Sequence, residues 1–239
     1  MVNNLLSVLV LCFCLTIQTT NAQSKENHTA LTKEHEALIR ISSQAAVGEL
    51  DKLRDELHRG LDAGLTINKV KESLIHLHAY AGFPRSIRGL QTLITVVDER
   101  QKNGIKDEVG SDASSISTEK TKYDRGKAIL QQLTGVKEND VKTGYAAFAP
   151  TIEIFLKEHL FADLFERDLL NYSERELVTI SVLASIGKVE PMLKSHLSIC
   201  VNLGCSSEQL QQFLQIIKDA QGVERATDAA KVLTEVLNK

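Results

Sequence analysis

The feature that most constrains this chain is a helical segment that occurs twice. ALIRISSQAAVG, ending at Gly48, matches ELVTISVLASIG, ending at Gly187, at an offset of 139 residues. One residue is then gained. At an offset of 140, Gly64 falls on Gly204, Thr66 on Ser206, Gly82 on Gly222 and Arg85 on Arg225. Apolar residues recur at three and four within each copy, as in Leu38, Ile41, Ala45 and Leu177, Ile180, Ala184. That is the period of a helix with one buried face, and strand-type alternation is hard to find anywhere. Gly64 and Gly204 stand where a left-handed residue ends a helix, and Ser206-x-x-Gln209 is a capping box opening the next one. Each copy reads as helix, helix, glycine stop, N-capped helix, glycine stop, helix. Two such units with matched apolar stripes are expected to pack as a pseudo-twofold pair, and the fold class is all-α.

The copies divide the chain into a first repeat over 30–100, a linker over 101–140 and a second repeat over 141–238. Gln101 to Lys122 is polar and serine-rich, which suits a linker or a surface excursion. Tyr145 to Phe165 carries apolar residues on nearly every face and is expected to form a helix buried against the partner repeat or another subunit. Ahead of the repeats, the apolar run Leu5–Ile17 is too short for a bilayer span of about 20 residues. It precedes the small-residue site Thr20-Asn21-Ala22, so residues 1–22 read as a signal peptide, although no Lys or Arg opens the segment. Export to the periplasm is the expectation, with no membrane association after cleavage.

A formal net charge of −3 without a basic block argues against nucleic acid or an anionic membrane as partner. Cleavage after Ala22 would remove Cys12 and Cys14, and the remaining pair, Cys200 and Cys205, is too few for a disulfide scaffold.

LDAGLTINKVKESLIHLHAYAGFPRSIRGL resembles the carboxymuconolactone decarboxylase family in its "GLT…E…YaGfPr" helix pair. KEHLFADLFERDLLNYSERELVTISVLASIG and LKSHLSICVNLGCSSEQL resemble the same family in its tandem-repeat, secreted form. The resemblance implies an alkylhydroperoxidase-D-like helical fold, a homotrimer or other ring of chains, and either decarboxylase or lactone chemistry or a thiol peroxidase. The peroxidases carry Cys-x-x-Cys-x-x-x-His, with the histidine eight residues before a glycine. His196 takes that histidine position before Gly204, but the cysteine positions hold Val189 and Met192. In the first copy the three positions hold Glu56, Glu49 and Lys52, so neither repeat keeps the redox pair.

The candidate site residues each have two readings. His196 suits a general acid/base, since imidazole titrates near neutrality, or an ordinary histidine near a helix end. Glu176 lies near the place of the peroxidases' proton-relaying glutamate, but Ser173-x-x-Glu176 also reads as a capping box. Glu72, His76 and Tyr80 are spaced by four and share one helix stripe, on which the carboxylate would orient His76 and raise its pKa. His78 faces elsewhere, which disfavours a metal held by His76 and His78. The second copy has Gln212, Ile216 and Ala220 at the stripe positions, as expected of one site per duplicated chain or of one wet and one buried helix face. Arg85 could anchor a substrate carboxylate, yet its match with Arg225 favours a structural role. Cys200 and Cys205 suit core packing, with a redox role open.

The reading that joins these is a cofactor-free enzyme, with no metal, acting by acid/base chemistry on a small carboxylated or lactone-type molecule. A peroxide-reducing antioxidant and a non-catalytic assembly or binding protein are its alternatives.

Overall fold

Thr32 opens the first helix, its hydroxyl accepting from the His35 amide. The computed structural model describes residues 30–138 and 141–238, so the expected signal peptide lies outside the described residues. Helix α1 (Lys33–Val47) ends at Gly48, whose φ of 79° is open to glycine. Then follow α2 (Leu50–Asp62), α3 (Ile67–His76), α4 (His78–Lys102), α5 (Lys122–Thr134), α6 (Gly144–Phe148) and α7 (Pro150–Phe155). A π-helical stretch, Leu156–Leu164, leads to α8 (Tyr172–Ile186), α9 (Glu190–Asn202), α10 (Ser207–Gln221) and α11 (Val223–Leu237). The described residues are all-helical and contain no strand, as the periodicity requires.

Local chemistry recurs at the offsets read from the sequence. Thr66 caps α3 and Ser206 caps α10, the latter in the expected capping box with Gln209. Gly64 and Gly204 adopt φ of 104° and 92°. Gly82 and Gly222, at φ 81° and 92°, turn the chain into the final helix of each unit; Gly82 does so as a kink inside α4. The expected counterparts also differ within α3. α10 runs unbroken, whereas its counterpart stops at His76 and restarts at His78, where the His78 ring donates to the Ile75 carbonyl.

Packing ties the units together through their first helices. α1 lies against α8, and each reaches into the other unit's core. Ile39 of α1 joins Leu177, Leu197, Phe213 and Leu233, while Val178 and Val182 of α8 join Leu38, Leu53 and Leu74. α8 is consequently buried over Glu174–Ser185, polar residues included. Its hydroxyls are satisfied locally: Thr179, Ser181 and Ser185 each donate to the carbonyl four residues back.

The interval 101–140 contains structure of its own. The Glu108 and Val109 carbonyls accept from the Ile67 and Asn68 amides, strapping this stretch to the start of α3. α5 then packs on the π-helical stretch, with Ile129 and Leu133 against Leu160, Phe161 and Phe165. The expectation of one continuous helix over Tyr145–Phe165 is corrected to two short helices and a π-helical stretch, and its burial against another subunit stays an expectation. Pro150 has no amide to continue a helix, so α6 and α7 separate, and Tyr145, Phe148 and Phe155 are exposed. Within the chain, burial concentrates in the π-helical stretch, at Leu160, Phe161, Ala162 and Leu164, which packs on α5. Among the described residues no helix is long and apolar enough to cross a membrane.

Candidate functional site

α8 places Glu176 and α9 places His196, and the two meet. Glu176 Oε2 lies 2.8 Å from His196 Nδ1, with the Glu176 side chain 0% exposed and His196 12%. A carboxylate accepts, so Nδ1 carries the proton and Nε2 is left as the basic nitrogen of the neutral ring. The capping box expected at Ser173 and Glu176 is corrected: Asn171 is the N-cap and Glu174 its reciprocal partner. Glu176 is thereby released from any capping duty. Its second oxygen, Oε1, is buried with no hydrogen-bond partner.

The Glu72–His76–Tyr80 stripe forms, but a residue from the other unit enters it. Arg175 of α8, fully buried, donates from Nη2 to Glu72 at 2.7 Å and from Nη1 to His76 Nδ1 at 3.2 Å. Arg167 Nε contacts both Glu72 oxygens at 3.0 Å. A guanidinium only donates, so His76 Nδ1 is the acceptor and Nε2–H donates to Thr179 Oγ1 at 3.0 Å. Thr179 passes its own proton to the Arg175 carbonyl at 2.9 Å. Both nitrogens of His76 are engaged in a closed network that joins α3 to α8. The expectation that Glu72 raises the His76 pKa is corrected as well. Burial, and then the Arg175 charge, push it well below the usual histidine value.

Tyr80 lies where all three apolar clusters meet. Its ring centroid stands 5.6 Å from that of His76 and 5.5 Å, edge-on, from that of His196. The phenol oxygen is buried and makes no hydrogen bond of good geometry; burial and then the Glu176 charge drive its pKa upward, against a contact with Thr179 that lowers it. It is a neutral donor at all working pH values.

Cys200 and Cys205 close the group. Cys200, one turn beyond His196, is fully buried, and Cys205 follows the Gly204 stop. The Cys205 amide donates to the Cys200 carbonyl at 2.9 Å, and the two thiols shift each other: Cys205, and then burial, raise the Cys200 pKa, while Cys200 lowers that of Cys205. The Glu176 charge acts on both thiols. Cys205 also lines an open cleft of about 430 Å³ with His35, Tyr172, Leu177 and Gln209.

Arg85 takes the place its repeat match suggested. Its guanidinium lies where a Cβ on Gly48 would be, and Arg225 lies likewise over Gly187. His78 turns away from His76 to meet His159.

Glu176, His196 and Tyr80 therefore come together, while Glu72 and His76 are drawn into a structural network beside them. Arg175 and Thr179 had no signal in the sequence beyond lying on the most apolar helix, where a fully buried arginine demands a partner. Among the described residues no group of three or more His, Cys, Asp or Glu side chains is arranged to hold a metal ion. No curated protein matches the chain. Residues 150–235, which carry Glu176, His196 and both cysteines, match the model of the Carboxymuconolactone decarboxylase family.

Proposed function

We propose that the whole chain is a tandem carboxymuconolactone decarboxylase-like enzyme that moves protons on a small carboxylated or lactone-type molecule without a resident cofactor. The observation that carries this is the Glu176–His196 pair, a fully buried carboxylate fixing an imidazole at 2.8 Å. Glu176 orients His196 and balances the charge when Nε2 takes a proton. For loss of CO2, the electron pair of the broken carbon–carbon bond would be quenched by that proton. The Tyr80 phenol would donate a hydrogen bond to developing negative charge. Leaving the buried Glu176 Oε1 unpaired costs about 1–3 kcal/mol, which a polar group of the substrate bonding to it would recover. Export of the chain and assembly into a homotrimer or other ring belong to the same proposal.

The test is turnover of a panel of lactone carboxylates and β-keto acids by wild type, His196→Ala and Glu176→Gln. On a substrate the wild type turns over, His196→Ala should lose at least 10²-fold in kcat. Undiminished turnover by a folded His196→Ala protein would remove the reading.

A second reading rests on a separate observation, the placement of Cys205 on the open cleft with buried Cys200 beside it across the Gly204 stop, where the Cys205 amide donates to the Cys200 carbonyl at 2.9 Å. In that reading Cys205 attacks a peroxide oxygen, one ROH leaves, and Cys200 displaces water from the sulfenic acid to give the disulfide. An external thiol restores the pair. Peroxidase activity that survives Cys205→Ser excludes it.

A further inference from the structure

His78 and His159 are 81 residues apart and face each other through Nε2 atoms 2.8 Å apart. The other nitrogen of the His78 ring is already assigned a proton. His78 Nδ1 contacts the Ile75 carbonyl, which can only accept. His159 Nδ1 lies 3.5 Å from the Asp163 carboxylate, an ion-pair contact that leaves the tautomer of this ring open. His78 Nε2 therefore presents its lone pair to His159 Nε2, and the contact is an N–H···N hydrogen bond whose proton a metal ion held by both rings would replace. Each ring is also held from behind. His78 stacks on Phe83 at 4.6 Å between centroids, and Asp163 is fixed by Lys122 at 2.8 Å. A carbonyl behind Nδ1 with Nε2 as the acceptor in front, as in His78, is how metal-binding histidines are oriented.

We propose that His78 and His159 bind one divalent transition-metal ion through their Nε2 atoms. Metal–nitrogen bonds of about 2.0–2.1 Å across this 2.8 Å gap subtend about 84–89°, the angle between neighbouring ligands of a square-planar or octahedral ion. The pair thus favours Cu(II) or Ni(II) over tetrahedral Zn(II), which wants the nitrogens about 3.3 Å apart. His159 is exposed and His78 half-buried, so water fills the remaining positions and the ion exchanges freely. Binding is independent of the chemistry proposed at His196.

The experiment is calorimetric titration of the full chain with CuCl2 and with NiCl2 at pH 7.5, for wild type, His78→Ala, His159→Ala and Asp163→Asn. Either alanine variant should bind one ion fewer per chain than wild type, and Asp163→Asn should weaken that ion about 10–100-fold. Electron paramagnetic resonance of the Cu(II) form should show coupling to two ring nitrogens in wild type and not in the alanine variants. Because Cys200 and Cys205 also bind such ions, the difference between variants carries the test. Equal stoichiometry in wild type and a folded His78→Ala variant would overturn the proposal. So would a spectrum in which the two rings only share a titrating proton and no metal shifts them.

Discussion

Glu176 Oε2 and His196 Nδ1 lie 2.8 Å apart, joining α8 to α9 over 20 residues of sequence. The bond places a titratable ring beside the Tyr80 phenol, while the carboxylate behind it is closed off from water. Glu176→Gln can still accept at Nδ1 but carries no charge to balance an imidazolium. The expected result is a fall in kcat of about 10²–10⁴-fold with little change in KM, read by steady-state kinetics on any substrate the wild type turns over.

The paired thiols should react unequally. The neighbouring Cys200 lowers the Cys205 pKa, and Cys200 itself is buried where Cys205 lines an open cleft. Iodoacetamide should label Cys205 first, at a pH below that needed for an isolated cysteine. Cys200→Ala removes that neighbour, so the labelling midpoint of Cys205 should move to higher pH, as mass spectrometry across a pH series would show. Faster labelling of Cys200 would contradict the arrangement.

His76 gives the fold a pH dependence. Its folded pKa lies well below 6.5, so near pH 6 the unfolded chain binds a proton that the folded chain refuses. Stability on this account is full above about pH 6.5 and falls as pH drops below it, by up to about 1.4 kcal/mol per pH unit. Urea unfolding at pH 7.5 and 5.5 measures it. His76→Gln should lower stability at pH 7.5 and flatten the slope.

Arg175 holds Glu72 and His76 in one network from across the unit boundary. Arg175→Met leaves the buried Glu72 carboxylate with Arg167 alone, whose side chain is 34% exposed. A loss of about 3–5 kcal/mol is expected from stranding a buried charge, visible as a drop in thermal midpoint.

Gly126 is where α5 meets the π-helical stretch, and a Cβ there would lie 1.8 Å from the Lys157 carbonyl oxygen. That neighbour is backbone and cannot rotate aside. Gly126→Ala should destabilise this packing by about 1–3 kcal/mol despite the better helix propensity of alanine, measured by chemical denaturation.

Much of the fold could be read from the residues in order. Thr66 and Ser206 cap helices because a side-chain oxygen reaches an amide three residues on. Gly64 and Gly204 stop helices because only glycine enters the left-handed region at no cost. The apolar stripes of α1 and α8 required burial, and both are central. These are short-range rules, and they were legible in the chain alone. The same rules misassigned Glu176, because Ser173 and Asn171 are both fair N-caps and backbone geometry chose Asn171.

What lies between distant residues was decided by packing. Glu72 and His76 share a stripe as the helix period dictates, but nothing local says that Arg175, 103 residues from Glu72, is inserted between them. That insertion turns an expected acid/base pair into a neutral, fully engaged histidine. His78 pointed away from His76 by sequence, and only the tertiary fold supplied His159 to face it. Helix periodicity fixes direction around an axis; the partner waiting in that direction depends on how α1 and α8 cross into each other's cores, which no local rule encodes.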